Sequence, residues 1–414
     1  MKFSRSFANL VVALLMIGSI SVVSTLRTAA TPAAAAGSVS WATWSSNPTE
    51  QAGQKKLLDN FQSKYGINVD FQVINGDYNA ALKARLTAGT APDVFYVNSD
   101  HVQDYIRTGA LKNLDFLKKD KTFNYSALYK NLQAGYTYKG HVYGIVKDYS
   151  PLALWYNKDM FKAAGISKPP TTWAQMQTDA CKLTNKGNKV YGLSLSADPA
   201  RWLAFVYQAG GSLLNKNQTK ATINSAAAKT ALTYYAGLVK KGCAARPDQV
   251  GAGWNGEAFG RGNAAMTIEG NWMTSYMQQT FPNIHFGIAV LPKGPKGAGN
   301  LAFTACYAIN AHTSNLKNAT TFLKYVGGKA GTAVWSHVVD YLPARKDVKP
   351  PAGSKVFVAE VHSSHDWFFP PGFADRALGP IGDDIRKVMD GSMSVNDAIA
   401  DMQSQSTKAL TQAP

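Results

Sequence analysis

Apolar positions along the chain fall into two alternating rhythms. Val39 to Trp44 alternates apolar and polar residues and predicts a first strand. Asn47-Pro48-Thr49-Glu50 has the composition of a helix start, with Pro near the first turn. Leu57, Leu58, Phe61 and Tyr65 follow at helical spacing, and Gly66 suits a left-handed close. Ile67 to Val73 predicts the next strand, and Asp77 to Ala88 a second helix ended by Gly89. Ala91-Pro92-Asp93 then leads into a strand through Val97, with Asn98, Ser99, Asp100 and His101 at its carboxyl end. Strand, helix, strand, helix, strand is the order of a parallel sheet covered by helices.

The rhythm restarts downstream. Leu152 to Tyr156 predicts a strand, Asn157-Lys158-Asp159 a helix start, and Pro169 to Trp173 a loop into another capped helix. The pattern continues through Val190 to Ser196, Arg201 to Ala209 and Ser225 to Lys240. Ala264 to Ile268 is a short apolar run of the kind a strand buried on both faces shows. Glu269, Gly270, Asn271 and Trp272 leave its carboxyl end, with Asn271 placed to cap a helix from Trp272 to Gln279. Ligands of open α/β sheets sit outside the carboxyl ends of strands. A core Trp and an ordinary cap are the plainer reading of the same residues. Ile284 to Leu291, a Gly/Pro/Lys loop from Pro292 to Gly299, then Ala302 to Ile309 and Asn315 to Val326 bring back the first rhythm. The order suggests two α/β lobes connected more than once.

Composition adds limits. With 414 residues and 45% hydrophobic content, the chain can bury a large core in more than one domain. Residues 1–36 read as a signal peptide: Lys2 and Arg5, an apolar stretch from Leu10 to Leu26, then small residues at Ala33 to Ala36. Gly18, Ser19, Ser21 and Ser24 make that stretch less apolar than a permanent anchor, and no cysteine precedes Cys181 to take a lipid. An exported, soluble protein, periplasmic or extracellular, is expected. Three cysteines in an oxidising compartment suggest one disulfide and one buried thiol. Cys181 and Cys243 are the expected pair, since both lie at helix ends within one segment, whereas Cys306 sits in a strand-like run; three buried thiols are the plainer alternative. Formal charge is +17, or +14 without Lys2, Arg5 and Arg27, and it is dispersed. Nucleic-acid binding would want a basic stripe with stacking aromatics, so no nucleic-acid partner is expected. His362, His365 and Asp366 lack a helical acid at fixed spacing, and no metal site or cofactor is expected. Tyr234-Tyr235 could suggest phenolate capture of iron, but neighbours on a helix point about 100° apart, so one belongs to the core. No phosphate-cradling loop and no nucleophile elbow are present.

Five stretches together carry a family resemblance: Ala91-Pro92-Asp93-Val94, Leu154 to Asp159, Pro169 to Trp173, Gly262 to Met266 with Gly270-Asn271-Trp272, and Tyr341 to Arg345. In this order the chain resembles the extracellular solute-binding component of bacterial ATP-driven sugar importers, the maltose-binding-protein-like group. The resemblance implies a two-lobed α/β periplasmic-binding-protein fold, each lobe a mostly parallel sheet flanked by helices. Three crossings are expected near Lys147 to Ser150, Ile288 to Leu291 and Leu342 to Arg345. The lobes would then be 37–147 with 292–342, and 148–291 with 343–414. It also implies a monomer that closes on a mono- or oligosaccharide and passes it to membrane permease subunits.

A neutral sugar presents hydroxyls that want donors and acceptors, and C–H faces that pack on aromatic planes. By position at strand ends and by similarity to the family's binding loops, one lobe is expected to supply Trp44, Ser45, Asn98 and Asp100. The other is expected to supply Asp148, Tyr149, Asp198, Arg201, Trp254, Glu269, Asn271 and Trp272. The closing segment adds Asp340, Tyr341, Arg345, Trp367 and Phe368. Trp44 could equally pack in the core, and Asp198 could equally cap a helix. Where the group carries a Trp and an Arg in the loop after the Pro-Asp strand, Val97 and His101 stand here. An anionic ligand such as a sugar phosphate is the alternative, provided Arg201, Arg345 and Arg376 converge. A glycoside hydrolase would also combine paired acids with aromatics, and the resemblance decides against it.

Overall fold

The computed structural model describes residues 37–45 and 47–412; the expected signal peptide lies outside them. Among the described residues no helix is long and apolar enough to cross a membrane. Two sheets organise the chain. In the first, Ser38–Thr43 pairs in parallel with Asn68–Val73 on one side and Val94–Asn98 on the other. Asn300–Ile309 runs antiparallel to Val94–Asn98, followed by Ile145–Pro151 and the edge strand Leu342–Pro343. Ser364–Asp366 adds to the start of Asn300–Ile309. The second sheet has the order Phe286–Ala289, Ala153–Asn157, Met266–Glu269, Leu193–Ser194, Ala244–Ala245. The two-lobed α/β architecture is as expected, but the sheets are mixed rather than mostly parallel. The strands near the passages between sheets run antiparallel to their neighbours. One long ribbon makes the first passage: Ile145–Pro151 belongs wholly to the first sheet, and after Leu152 the chain enters the second as Ala153–Asn157.

Local chemistry accounts for the helices. Asn47 accepts the Glu50 amide at 3.0 Å and Pro48 opens the helix Pro48–Tyr65, which Gly66 closes at φ 65°. Asp77, Thr172, Asp198, Ser225 and Ser394 cap later helices in the same way. Gly53 on the first helix has a packing reason: a Cβ there would come within 2.3 Å of Val339, so the helix rests directly on Lys329–Val339.

Two apolar cores result, and Ala153–Asn157 divides them by alternation. Ala153 and Trp155 sit in the first core while Leu152 and Leu154 sit in the second. Trp41, fully buried, meets Phe71, Tyr96 and Phe322 at 5.1 to 5.7 Å between ring centres. Cys181 and Cys243 form the expected disulfide, and Cys306 is a buried thiol. Tyr235 is fully buried, while the half-buried Tyr234 lies stacked on Trp173 at 4.4 Å.

Candidate ligand-binding cleft

The carboxyl ends of Ser38–Thr43, Val94–Asn98 and Met266–Glu269 open on one cavity of about 320 Å³. Trp44, Asn98, Asp148, Trp254, Trp272 and Tyr341, all expected at the site, line it. So do Asn47, Glu50, Lys147, Ser150, Tyr276, Phe303 and Thr304, which the sequence reading did not place there.

Its first wall is aromatic. Trp44 stands edge-on to Tyr78 and Tyr96 at 5.0 and 4.8 Å, half-buried rather than in the core. Trp254, also lining the cavity, packs on Tyr276 at 4.8 Å at the start of the helix Asn255–Gly260. Trp272 meets Phe303 at 5.5 Å.

The base is polar and buried. Lys147 is ion-paired with Asp148, and its ammonium lies 4.1 Å from the Trp335 ring centre, 5.0 Å from Tyr96 and 5.6 Å from Tyr341. The Trp335 indole N–H also donates to Asp148, at 2.6 Å. The Tyr341 hydroxyl donates to Glu50 at 2.8 Å. Ser150 accepts the Asn271 amide at 3.0 Å, which ties the two sheets beneath the cavity.

A second polar cavity of about 290 Å³ shares Trp254 with the first and is lined by Asp198, Arg201, Asp248, Asn255, Glu269 and Arg386, among others. Glu269, almost fully buried, accepts from Arg201 at 2.7 Å, Asn255 at 3.2 Å and the Trp272 indole at 3.1 Å. Arg201 also pairs with Asp198 at 2.8 Å, and its guanidinium lies 5.7 Å from the Trp272 ring centre. Burial alone would lower the Arg201 pKa; Glu269 and Asp198 beside it raise it instead. Asp198 is therefore both the cap of Pro199–Gln208, accepting the Ala200 amide, and a partner of Arg201.

The remaining expected residues lie elsewhere. Ser45 turns its hydroxyl to the Asn47 carbonyl. Tyr149 follows Asp148 on the strand and so faces the other way, edge-on to Tyr129 at 6.1 Å. Asn271 begins the helix Trp272–Thr280, but its side chain makes no capping bond. Its backbone is already helical, and the amide reaches the Asp340 carbonyl at 3.3 Å instead. Asp340 itself takes the left-handed turn that ends Lys329–Val339. Arg345 is buried against the carbonyls of Phe123, Asn124 and Gly327 and paired with Asp347. Asp100 accepts the Trp367 indole N–H at 3.2 Å, and burial pushes its carboxyl pKa up. Trp367 packs between Phe303 and Phe369, and Phe368 rests beside Gly135. Arg201, Arg345 and Arg376 do not converge: Arg345 is enclosed as described, and Arg376 folds over Gly372.

Known proteins share this architecture. A Brucella abortus binding protein is 26% identical over 294 residues, covering 68% of this chain and 70% of its own. The GacH receptor of Streptomyces glaucescens, solved unliganded and with acarbose, is 25% identical with a TM-score of 0.80, over 92% of this chain and 100% of its own. UgpB of Mycobacterium tuberculosis, solved with glycerophosphocholine, is 21% identical with a TM-score of 0.80, over 91% and 99%. Residues 56–362, which include every strand that shapes the aromatic cavity except the first, match the family described as bacterial extracellular solute-binding protein. The two mixed sheets, the cleft at their carboxyl ends and that match together make this chain a member of the bacterial extracellular solute-binding proteins, substrate-binding components of ABC importers.

Proposed function

We propose that the protein captures a neutral saccharide in the aromatic cavity, closes its lobes around it and presents it to a membrane permease. The observation that carries this reading is the pairing of aromatic planes with charge-neutralised polar groups. Trp44, Trp254, Trp272 and Tyr276 offer faces for C–H surfaces, while Glu50, Asn98, Asp148, Ser150 and Thr304 offer hydroxyl partners. Carboxylates that accept from hydroxyls make the stronger, charge-assisted bonds.

A phosphate-bearing ligand, such as the one UgpB was solved with, would want a cation to spare. Each Lys or Arg lining either cavity is already in an ion pair: Lys147 with Asp148, Arg201 with Asp198 and Glu269, Arg386 with Asp248. Dehydrating a phosphate there would meet Glu50, Asp148 and Glu269 without compensation. The acarbose complex of GacH is the nearer chemical guide.

The moving bodies in this reading are the two expected lobes, with the first seam at Leu152 in place of Lys147, because Ile145–Pro151 lies wholly in the first sheet. Closure is driven by the difference in ligand affinity between open and closed states. A thermal-shift screen of neutral mono- and oligosaccharides against sugar phosphates tests the reading. A ligand at a hundred times its dissociation constant stabilises by about 2.7 kcal/mol. Shifts confined to sugar phosphates overturn the neutral-ligand assignment, and release of cleaved sugar overturns the binding-protein reading itself.

A further inference from the structure

A second constellation stands apart from the ligand cleft. The helix Val102–Arg107 and the turn Ala374–Leu378 meet beside a cavity of about 530 Å³ that shares no lining residue with the aromatic one. His101 Nδ1 lies 3.5 Å from Asp375 Oδ1 and 3.8 Å from Asp104 Oδ2. Each of the three side chains offers one ligand atom, all within 4.8 Å of one another. Those separations are long for N–H···O bonds. Arms of about 2.0–2.2 Å around one tetrahedral zinc ion place ligand atoms about 3.3–3.6 Å apart; the 3.5 Å separation matches that edge, and the 3.8 Å one needs a small side-chain adjustment to reach it.

The surroundings support the same geometry. His101 Nε2 faces Asp100 Oδ2 at 3.8 Å, and Asp100 is itself held by the Trp367 indole. At that distance Asp100 acts on the imidazole as a nearby negative charge, which favours a cation beside His101. The Gly372 amide donates to Asp104 Oδ1, which turns Oδ2 toward His101. Lys83 lies 4.0 Å from Asp375.

We propose that His101 Nδ1, Asp104 Oδ2 and Asp375 Oδ1 form a zinc-type divalent cation site, with its fourth position open to the cavity. One imidazole and two carboxylates balance the ion's charge, and the imidazole favours zinc over magnesium or calcium. The site also has a mechanical meaning. Val102, Tyr105 and Ile106 belong to the first core, whereas Ala374 and Ala377 belong to the second. A bound ion would therefore link the two cores outside the ligand cleft.

Titration of EDTA-stripped, untagged protein with zinc chloride by calorimetry tests the proposal. One ion per chain should bind, and zinc should raise the melting temperature of the wild type. Asp375→Ala, which removes a half-exposed carboxylate, and His101→Gln should each weaken zinc binding by on the order of tenfold or more. Circular dichroism checks their fold, and if His101→Gln fails to fold, Asp375→Ala decides alone. Absence of saturable one-ion binding, undiminished affinity in Asp375→Ala, or equal binding of calcium and zinc each overturns the assignment.

Discussion

Asp148→Asn probes the base of the cleft most directly. In the wild type the Lys147 ammonium is buried, paired with Asp148 and boxed by Tyr96, Trp335 and Tyr341. The substitution keeps the shape and leaves an acceptor for the Trp335 indole, but it strands the ammonium opposite a neutral amide. Breaking a buried pair by removing one partner costs about 3–5 kcal/mol. The three rings still face the ammonium and retain about 0.5–2 kcal/mol of cation–π attraction, which holds the loss near the lower figure, about 3 kcal/mol. Lys147→Met strands the carboxylate instead, and the Trp335 donor softens that loss only in part. The double variant leaves neither charge buried, so it should lose less than the two single variants together. Urea unfolding without ligand, comparing midpoints at constant slope, measures all four proteins. A loss below about 1 kcal/mol for Asp148→Asn, or strictly additive losses in the double variant, refutes the reasoning.

Trp272→Ala should weaken sugar binding by about two- to tenfold, from an aromatic contact worth roughly 0.5–1.5 kcal/mol, with an unchanged circular dichroism spectrum; unchanged affinity in calorimetry removes Trp272 from the site. Burial pushes the Asp366 carboxyl up to about 6, so the folded state holds its proton more tightly than the unfolded chain does. Wild-type stability should therefore fall as pH rises from about 4 to about 6, by up to about 3 kcal/mol. Asp366→Asn should gain stability at pH 7 and none at pH 3, and equal effects at both would contradict the assignment. The Cys181–Cys243 bond spans 62 positions, and its loss in a Cys181→Ala/Cys243→Ala variant should cost about 4 kcal/mol by loop-closure entropy. An unchanged urea midpoint would show that the unfolded chain does not feel the crosslink.

Much of the scaffold was legible because its causes are local. Asn47, Asp77, Asp198 and Ser225 cap helices through bonds that reach only two or three residues ahead, and such bonds leave a sequence signature. The alternation through Leu152, Ala153, Leu154 and Trp155 reflects the two-residue period of a strand between two cores. Trp44 and Trp272 stand at strand ends, Trp254 stands among Gly251, Gly253 and Gly256, and all three line the cleft.

The sequence by itself determined the elements, their order, the cysteine pair and a group of aromatics fit for a ligand. Tertiary structure decided which of them meet. Asp148 and Tyr149 are adjacent, yet strand register sends one to the cleft and the other to Tyr129. Glu50 reads as a helix-start residue and becomes a cleft acid only through Tyr341. Arg345 had the chemistry of a ligand contact, but carbonyls from Phe123 and Gly327 enclose it. His101 and Asp375 lie far apart in sequence and face each other only because the second core carries the turn Ala374–Leu378 to the first. Short-range bonds are set by neighbours in the chain; convergence of distant side chains depends on packing and register, for which no local pattern exists.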